Sequence, residues 1–87
     1  MKLAIAKAKA SGIGWVSAKR SNHFGIAGHY SEMAAKEGLL GMAFTNSPPL
    51  MVPTRAKAPV LGTNPIACAA PGKKMMTFGG TFTAKLF

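Results

Sequence analysis

"IGWVSAKRSNHFGIAGHYSEMAAKEGLLGMAFTNS", residues 13–47, decides how this chain is read. Its first seven residues, "IGWVSAK", are apolar on alternate and intervening positions, which suits a strand buried in a sheet over 13–19. The polar loop "RSNH" follows. Residues 26–37 then carry Ile26, Tyr30, Met33, Ala34 and Glu37 on one helical stripe, and Gly38 supplies a stop. "LLGMAF", residues 39–44, reads as a second apolar strand, and "TNS" as a second polar loop. A strand, a helix of about a dozen residues and another strand is most simply a right-handed βαβ crossover. The fold class expected is therefore α/β, a βαβ unit within a mixed sheet.

Working outward, residues 2–11 are alanines, lysines and leucine, all good helix formers. Leu3, Ala6 and Ala10 share a face there, and Gly12 ends the helix. The order helix, glycine, apolar strand, polar loop thus occurs twice, as architecture without residue identity. Downstream, "PPLMVPTRAKAP" (48–59) has too many prolines for a central strand or a helix interior and reads as an ordered irregular loop. A turn at Gly62–Pro65 leads to a strand at 66–70. The last residues, "KKMMTFGGTFTAKLF", alternate threonine and phenylalanine around a Gly–Gly pair, as a weak hairpin or an irregular tail.

The chain has 87 residues, room for one small domain or part of a larger one. Lysine and arginine total 11 against two acids, a formal charge of +9. That balance suits an anionic partner such as nucleic acid, an acidic membrane surface, phosphates or carboxylates. It equally suits a fragment whose acidic remainder lies elsewhere. A small basic module binding nucleic acid or another anion without catalysis is the alternative reading. Against nucleic acid stand a single tryptophan, a single tyrosine and no interleaving of aromatic with basic residues of the kind that stacks bases. Cys68 is the one cysteine, so no intrachain disulfide and no cysteine-based zinc site can form; a small buried thiol in a reducing, cytoplasmic compartment is expected. No apolar run approaches the ~18–20 residues of a membrane span. Lys7 and Lys9 interrupt what would be the core of a signal peptide, so export is not expected.

Parallel strands deliver their carboxyl ends to one sheet edge, where ligands bind. Ser21, Asn22 and His23 would meet Thr45, Asn46 and Ser47 across one cleft there. His23 also precedes a helix whose first turn offers unpaired N–H groups and a partial positive charge. That field favours a neutral ring and attracts carboxylate or phosphate, which suits general acid/base work on a hydroxy or keto acid. A histidine that merely bonds a backbone group fits the same placement. His29, six residues on, falls on the helix surface. The pair lacks the spacing and carboxylate support of a metal site, and none is expected. Arg55 can clamp an anion or stay solvated, and "GTNP" can be a turn alone. No G-x-G-x-x-G follows a strand, so a Rossmann dinucleotide site is not supported.

Three stretches, "SNHFGIAGHY", "FTNSPPLMVPTRAK" and "VLGTNPIACAAPG", resemble in this order and spacing the malate/L-lactate dehydrogenase family of type 2. That family also includes ureidoglycolate dehydrogenase, sulfolactate dehydrogenase and piperideine-2-carboxylate reductase. The resemblance covers roughly residues 1–72, a partial dehydrogenase domain, and leaves 73–87 as a divergent C-terminal tail. It implies a non-Rossmann NAD(P)-binding fold and hydride transfer between NAD or NADP and a 2-hydroxy or 2-keto acid such as malate or lactate. It implies His23 as the acid/base or substrate-contacting residue and Ser47 as a cofactor contact, with Thr45, Asn46, Thr63 and Asn64 beside it. Asn22, Thr54 and Arg55 would border the substrate. Homodimers are implied for the full-length family. The family's earlier helical segment with a further serine, histidine and arginine has no counterpart here, nor has its later Asp-Met-Ala strand. The chain therefore resembles an internal fragment, inactive alone, whose +9 charge reflects absent acidic parts.

Overall fold

The computed structural model describes residues 1–72 and, as backbone, strand 76–81. In chain order it holds helix α1 (Lys2–Ser11), helix α2 (Ala27–Ala35) and strands β1 (Gly41–Phe44), β2 (Pro65–Ala70) and β3 (Met76–Thr81). The class is α/β, but the βαβ crossover is not there. The sheet order is β1-β2-β3, and both pairings are antiparallel. Among the described residues the sheet is thus antiparallel and not mixed.

The expected strand at 13–19 is an extended segment without a ladder. A strand needs a partner edge for its backbone groups, and apolar content does not supply one. The segment is laid against α1 instead: a β-carbon on Gly14 would overlap the carbonyl oxygen of Ala4 and come within 2.9 Å of the Ala8 nitrogen. Ile13, Trp15 and Val16 remain exposed. Trp15 meets Phe44 at the end of β1, ring centroids 5.3 Å apart.

α1 forms where expected, closed by Gly12 in the left-handed region, whose N–H donates to the Ala8 carbonyl (2.7 Å). Its inward face differs from the expected one. Ala4, Ile5 and Ala8 are half-buried, whereas Leu3, Ala6 and Ala10 are exposed. No residue of α1 is fully buried, so alanine and lysine propensity carries the helix more than packing does. An ion pair, Lys9 Nζ to Glu37 Oε2 at 2.5 Å, ties α1 to the turn that follows α2. The hydrogen bond from Lys9, and then its charge, lowers the Glu37 carboxyl below its ordinary pKa.

α2 ends in a Schellman turn: Gly38 N–H donates to Ala35 O and Leu39 N–H to Ala34 O, both 3.0 Å. The core lies between α2 and the sheet and is built of small side chains. Ala27, Ala34 and Ala35 on the helix face Ala67 and Ala69 on β2, all buried. Ser31 is fully buried among them, its hydroxyl donating to Gly28 O (2.9 Å). Ile26, expected on the inward stripe, is 80% exposed because it caps the helix in extended conformation. The helix sits close on the sheet because Gly41 begins β1. A β-carbon there would overlap the Ser31 carbonyl oxygen and reach 2.9 Å from the Ala34 methyl. Residues 36–40 reverse the chain between α2 and β1, so the helix N-terminus and the strand C-terminus finish at one end of the layer.

The opposite sheet face is also apolar. Met42 and Phe44 of β1 stand opposite Cys68 and Ile66 of β2. Met42, Phe44 and Ile66 are exposed and Cys68 is half-buried, not the fully buried thiol expected. A sheet apolar on both faces is built to be covered on both. The expected strand at 66–70 begins one residue earlier, at Pro65, and residues 76–81 pair with it as the far side of a hairpin. The remainder of the expected tail, 73–75 and 82–87, lies outside the described residues. No described helix is long and apolar enough to cross a membrane.

Candidate functional site

Antiparallel pairing brings the end of β1 beside the start of β2. The loops that meet are therefore Thr45–Ser47 and Gly62–Asn64. Ser47 is the knot. Its N–H donates to Asn64 Oδ1 (2.9 Å). Its Oγ accepts from the Thr63 amide at 2.8 Å and from the Asn64 amide at 3.5 Å, and lies 3.2 Å from Thr63 Oγ1. Thr45 N–H donates to Pro65 O (3.3 Å), which continues the ladder into the loop. Asn64 adopts φ 38, which turns its amide toward Ser47. Gly62 allows the approach: a β-carbon there would overlap the Ser47 carbonyl oxygen and lie 2.6 Å from its Oγ.

The Ser47 and Thr63 hydroxyls are in hydrogen-bond contact, and either oxygen can be the donor. Asn46 is exposed, its backbone carbonyl accepting from Thr45 Oγ1 (3.0 Å). The donor set is neutral hydroxyls and amides, without a fixed charge.

His23 lies in the loop before α2 and is exposed. The parallel strands expected to bring the loops at 21–23 and 45–47 to one sheet edge are not there: residues 13–19 form no strand and β1 pairs antiparallel with β2. No hydrogen bond joins His23 or Asn22 to the Ser47 knot among the described residues. His23 Nδ1 accepts from the Gly25 N–H at 3.1 Å. Tyr30 braces the same loop: its hydroxyl donates to Phe24 O (2.6 Å), and its ring meets Phe24 edge-on at 5.2 Å. His29 is exposed on the helix, as expected, its ring against Tyr30. Thr54 and Arg55 stand apart. They occupy the tip of a loop closed at its stem by the Met51–Leu61 bridge, in a turn where Ala56 N–H donates to Pro53 O (3.0 Å). Both are exposed, with Arg55 at φ 68. Among the described residues no three His, Cys, Asp or Glu side chains gather as a metal site.

Sequence reading missed the brace from Tyr30 to Phe24, the bond from the Gly25 amide to His23, and the close approach of Gly62 to Ser47. Tyr30, six residues after Phe24, was legible only as helix stripe. The demand for glycine at 62 comes from a contact made fifteen residues away in the chain.

A helix packed on an antiparallel sheet, with two polar loops joined at the end of β1, places the chain in the α/β class. The sequence model of the family described as malate/L-lactate dehydrogenase matches residues 1–79, and the chain belongs to that family. Malate dehydrogenase of Pyrococcus horikoshii is 62% identical over 73 residues, 84% of this chain and 20% of that protein. Malate/(S)-sulfolactate dehydrogenase of Methanothermus fervidus is 54% identical over 74 residues, 85% of this chain and 22% of that protein. The solved structure of malate dehydrogenase from Pyrococcus horikoshii OT3 superimposes with a TM-score of 0.83 at 56% identity, covering 92% of this chain and 23% of that one. The chain spans about a fifth of the length of these curated relatives.

Proposed function

We propose that residues 1–72 are a partial dehydrogenase domain, with 73–87 a divergent tail. In the whole protein this domain serves hydride transfer between NAD or NADP and a 2-hydroxy or 2-keto acid such as malate or lactate. The family match over residues 1–79 carries this reading, because it includes all three motif stretches. That match runs past residue 72, so the divergence falls most strongly on residues 80–87.

The donor set at the two joined loops fits a nicotinamide nucleotide. Its carboxamide, ribose hydroxyls and phosphate oxygens are met by neutral hydroxyls and amides of the kind at Thr45, Asn46, Ser47, Thr63 and Asn64. When bound, the reduced nucleotide supplies the hydride. His23 contacts the substrate at its reacting oxygen as the acid/base or orienting group, and Asn22, Thr54 and Arg55 border the substrate. The non-Rossmann NAD(P) fold and the homodimer belong to the same reading, as does a cytoplasmic location. The chain is inactive by itself, because Trp15, Met42, Phe44 and Ile66 leave apolar surface that the rest of such a fold would cover.

A chimera tests this. Residues 1–72 replace the matching segment of the Pyrococcus horikoshii malate dehydrogenase. The expected result is oxidation of NADH or NADPH with oxaloacetate or pyruvate by the chimera, and none by the 87-residue chain. A folded chimera with no turnover on any 2-keto acid removes the reading.

A further inference from the structure

We propose that the backbone amide of Gly25 is a positioning group that fixes the tautomer of His23, with the ring proton on Nε2. The ring nitrogen that accepts a hydrogen bond carries no hydrogen. Nδ1 accepts from the Gly25 N–H at 3.1 Å, so the single hydrogen of the neutral imidazole sits on Nε2. Gly25 reaches back to the side chain two residues earlier because its φ is 86, a left-handed conformation that residues with a β-carbon adopt at a cost. The residue between the two is fixed from the helix, through the Tyr30 hydroxyl on Phe24 O and the edge-on contact of the two rings. The brace therefore runs from α2 through Phe24 and Gly25 to one nitrogen of His23.

The consequence is chemical. His23 presents an N–H donor outward. A donor suits the carbonyl or carboxylate oxygen of a 2-keto acid. It does not suit removal of a proton from a 2-hydroxyl, which needs a lone pair at Nε2. The tautomer stands on the loop geometry; only what the donor serves rests on the dehydrogenase reading above.

Nitrogen-15 NMR of the uniformly labelled 87-residue chain tests the proposal, at about pH 8, where an ordinary imidazole with a pKa of about 6.5 is neutral. His29 is the internal reference, since its ring contact is with Tyr30 and involves no such backbone donor. The expected result is a single Nε2–H tautomer at His23, with a scalar coupling across the hydrogen bond between the Gly25 amide nitrogen and His23 Nδ1. Gly25→Ala, which keeps the N–H but disfavours its φ, is expected to lose that coupling and move His23 toward the tautomer mixture of His29. An Nδ1–H tautomer at His23, or no coupling in the unsubstituted chain, overturns the proposal. A silent chimera with the coupling intact would sink the dehydrogenase reading and leave the tautomer standing.

Discussion

His23→Ala in the chimeric malate dehydrogenase is expected to lower kcat about 10²–10³-fold, the usual cost of deleting one preorganised donor at a reacting oxygen. The prediction follows from the outward Nε2–H, so the replacement series is informative. His23→Gln keeps an N–H donor near the position of Nε2 and should retain part of the lost rate. His23→Asn places its amide nearer Nδ1 and should behave like alanine. Steady-state kinetics on oxaloacetate with saturating NADH or NADPH reads all three. An alanine variant within twofold of the parent would take His23 out of the reaction, whatever its tautomer.

Gly41→Val should have the largest effect on stability. The first β1 residue touches the Ser31 carbonyl and the Ala34 methyl, and one of these is backbone that cannot rotate away. Inserting two methyl groups on a β-carbon into that contact is overpacking, which costs about 1–3 kcal/mol when neighbours can yield. Here the helix as a whole must lift, so the upper end, about 3 kcal/mol, is expected. Urea unfolding of the chimera should show a lower midpoint with an unchanged slope. Gly41→Val as stable as the parent would mean that α2 does not lie against β1 at this point. The helix–sheet contact involves small residues throughout, from Ala27 to Ala69, which is why one β-carbon in excess matters.

Both helices were legible because their signals are local. Alanine and lysine propensity with Gly12 as cap marks α1, and Gly38 marks the turn after α2, whose helix stops at Ala35, two residues before the expected end at Glu37. The inward face of α1 was not legible, because its partner is the segment around Gly14 and a run of alanines leaves no strong stripe. The segment 13–19 misled for a related reason. Ile13, Trp15 and Val16 are strand-like in composition, yet composition does not name a pairing edge. Strand direction is likewise non-local: β1 pairs with β2 across the whole 45–64 connection. The polar loops at 20–23 and 45–47 were legible as loops from their composition. That Ser47 joins Thr63 and Asn64 was not visible, since those bonds span 16 and 17 residues. The family resemblance named the residues of the knot without saying that they bond one another.

The site depends on β1 and β2 running antiparallel with Met42 opposite Cys68. Directly opposed residues in such a pair have Cα atoms about 4.5–5.5 Å apart, within disulfide reach. Cys68 is the one cysteine of the chain, so Met42→Cys creates a single possible intramolecular bridge. Mild oxidation followed by intact mass and thiol counting is the direct measurement. The structure predicts a monomer two hydrogens lighter with no free thiol. Free thiols, or cross-linked dimers in place of that monomer, would contradict the register that brings Ser47 to Asn64.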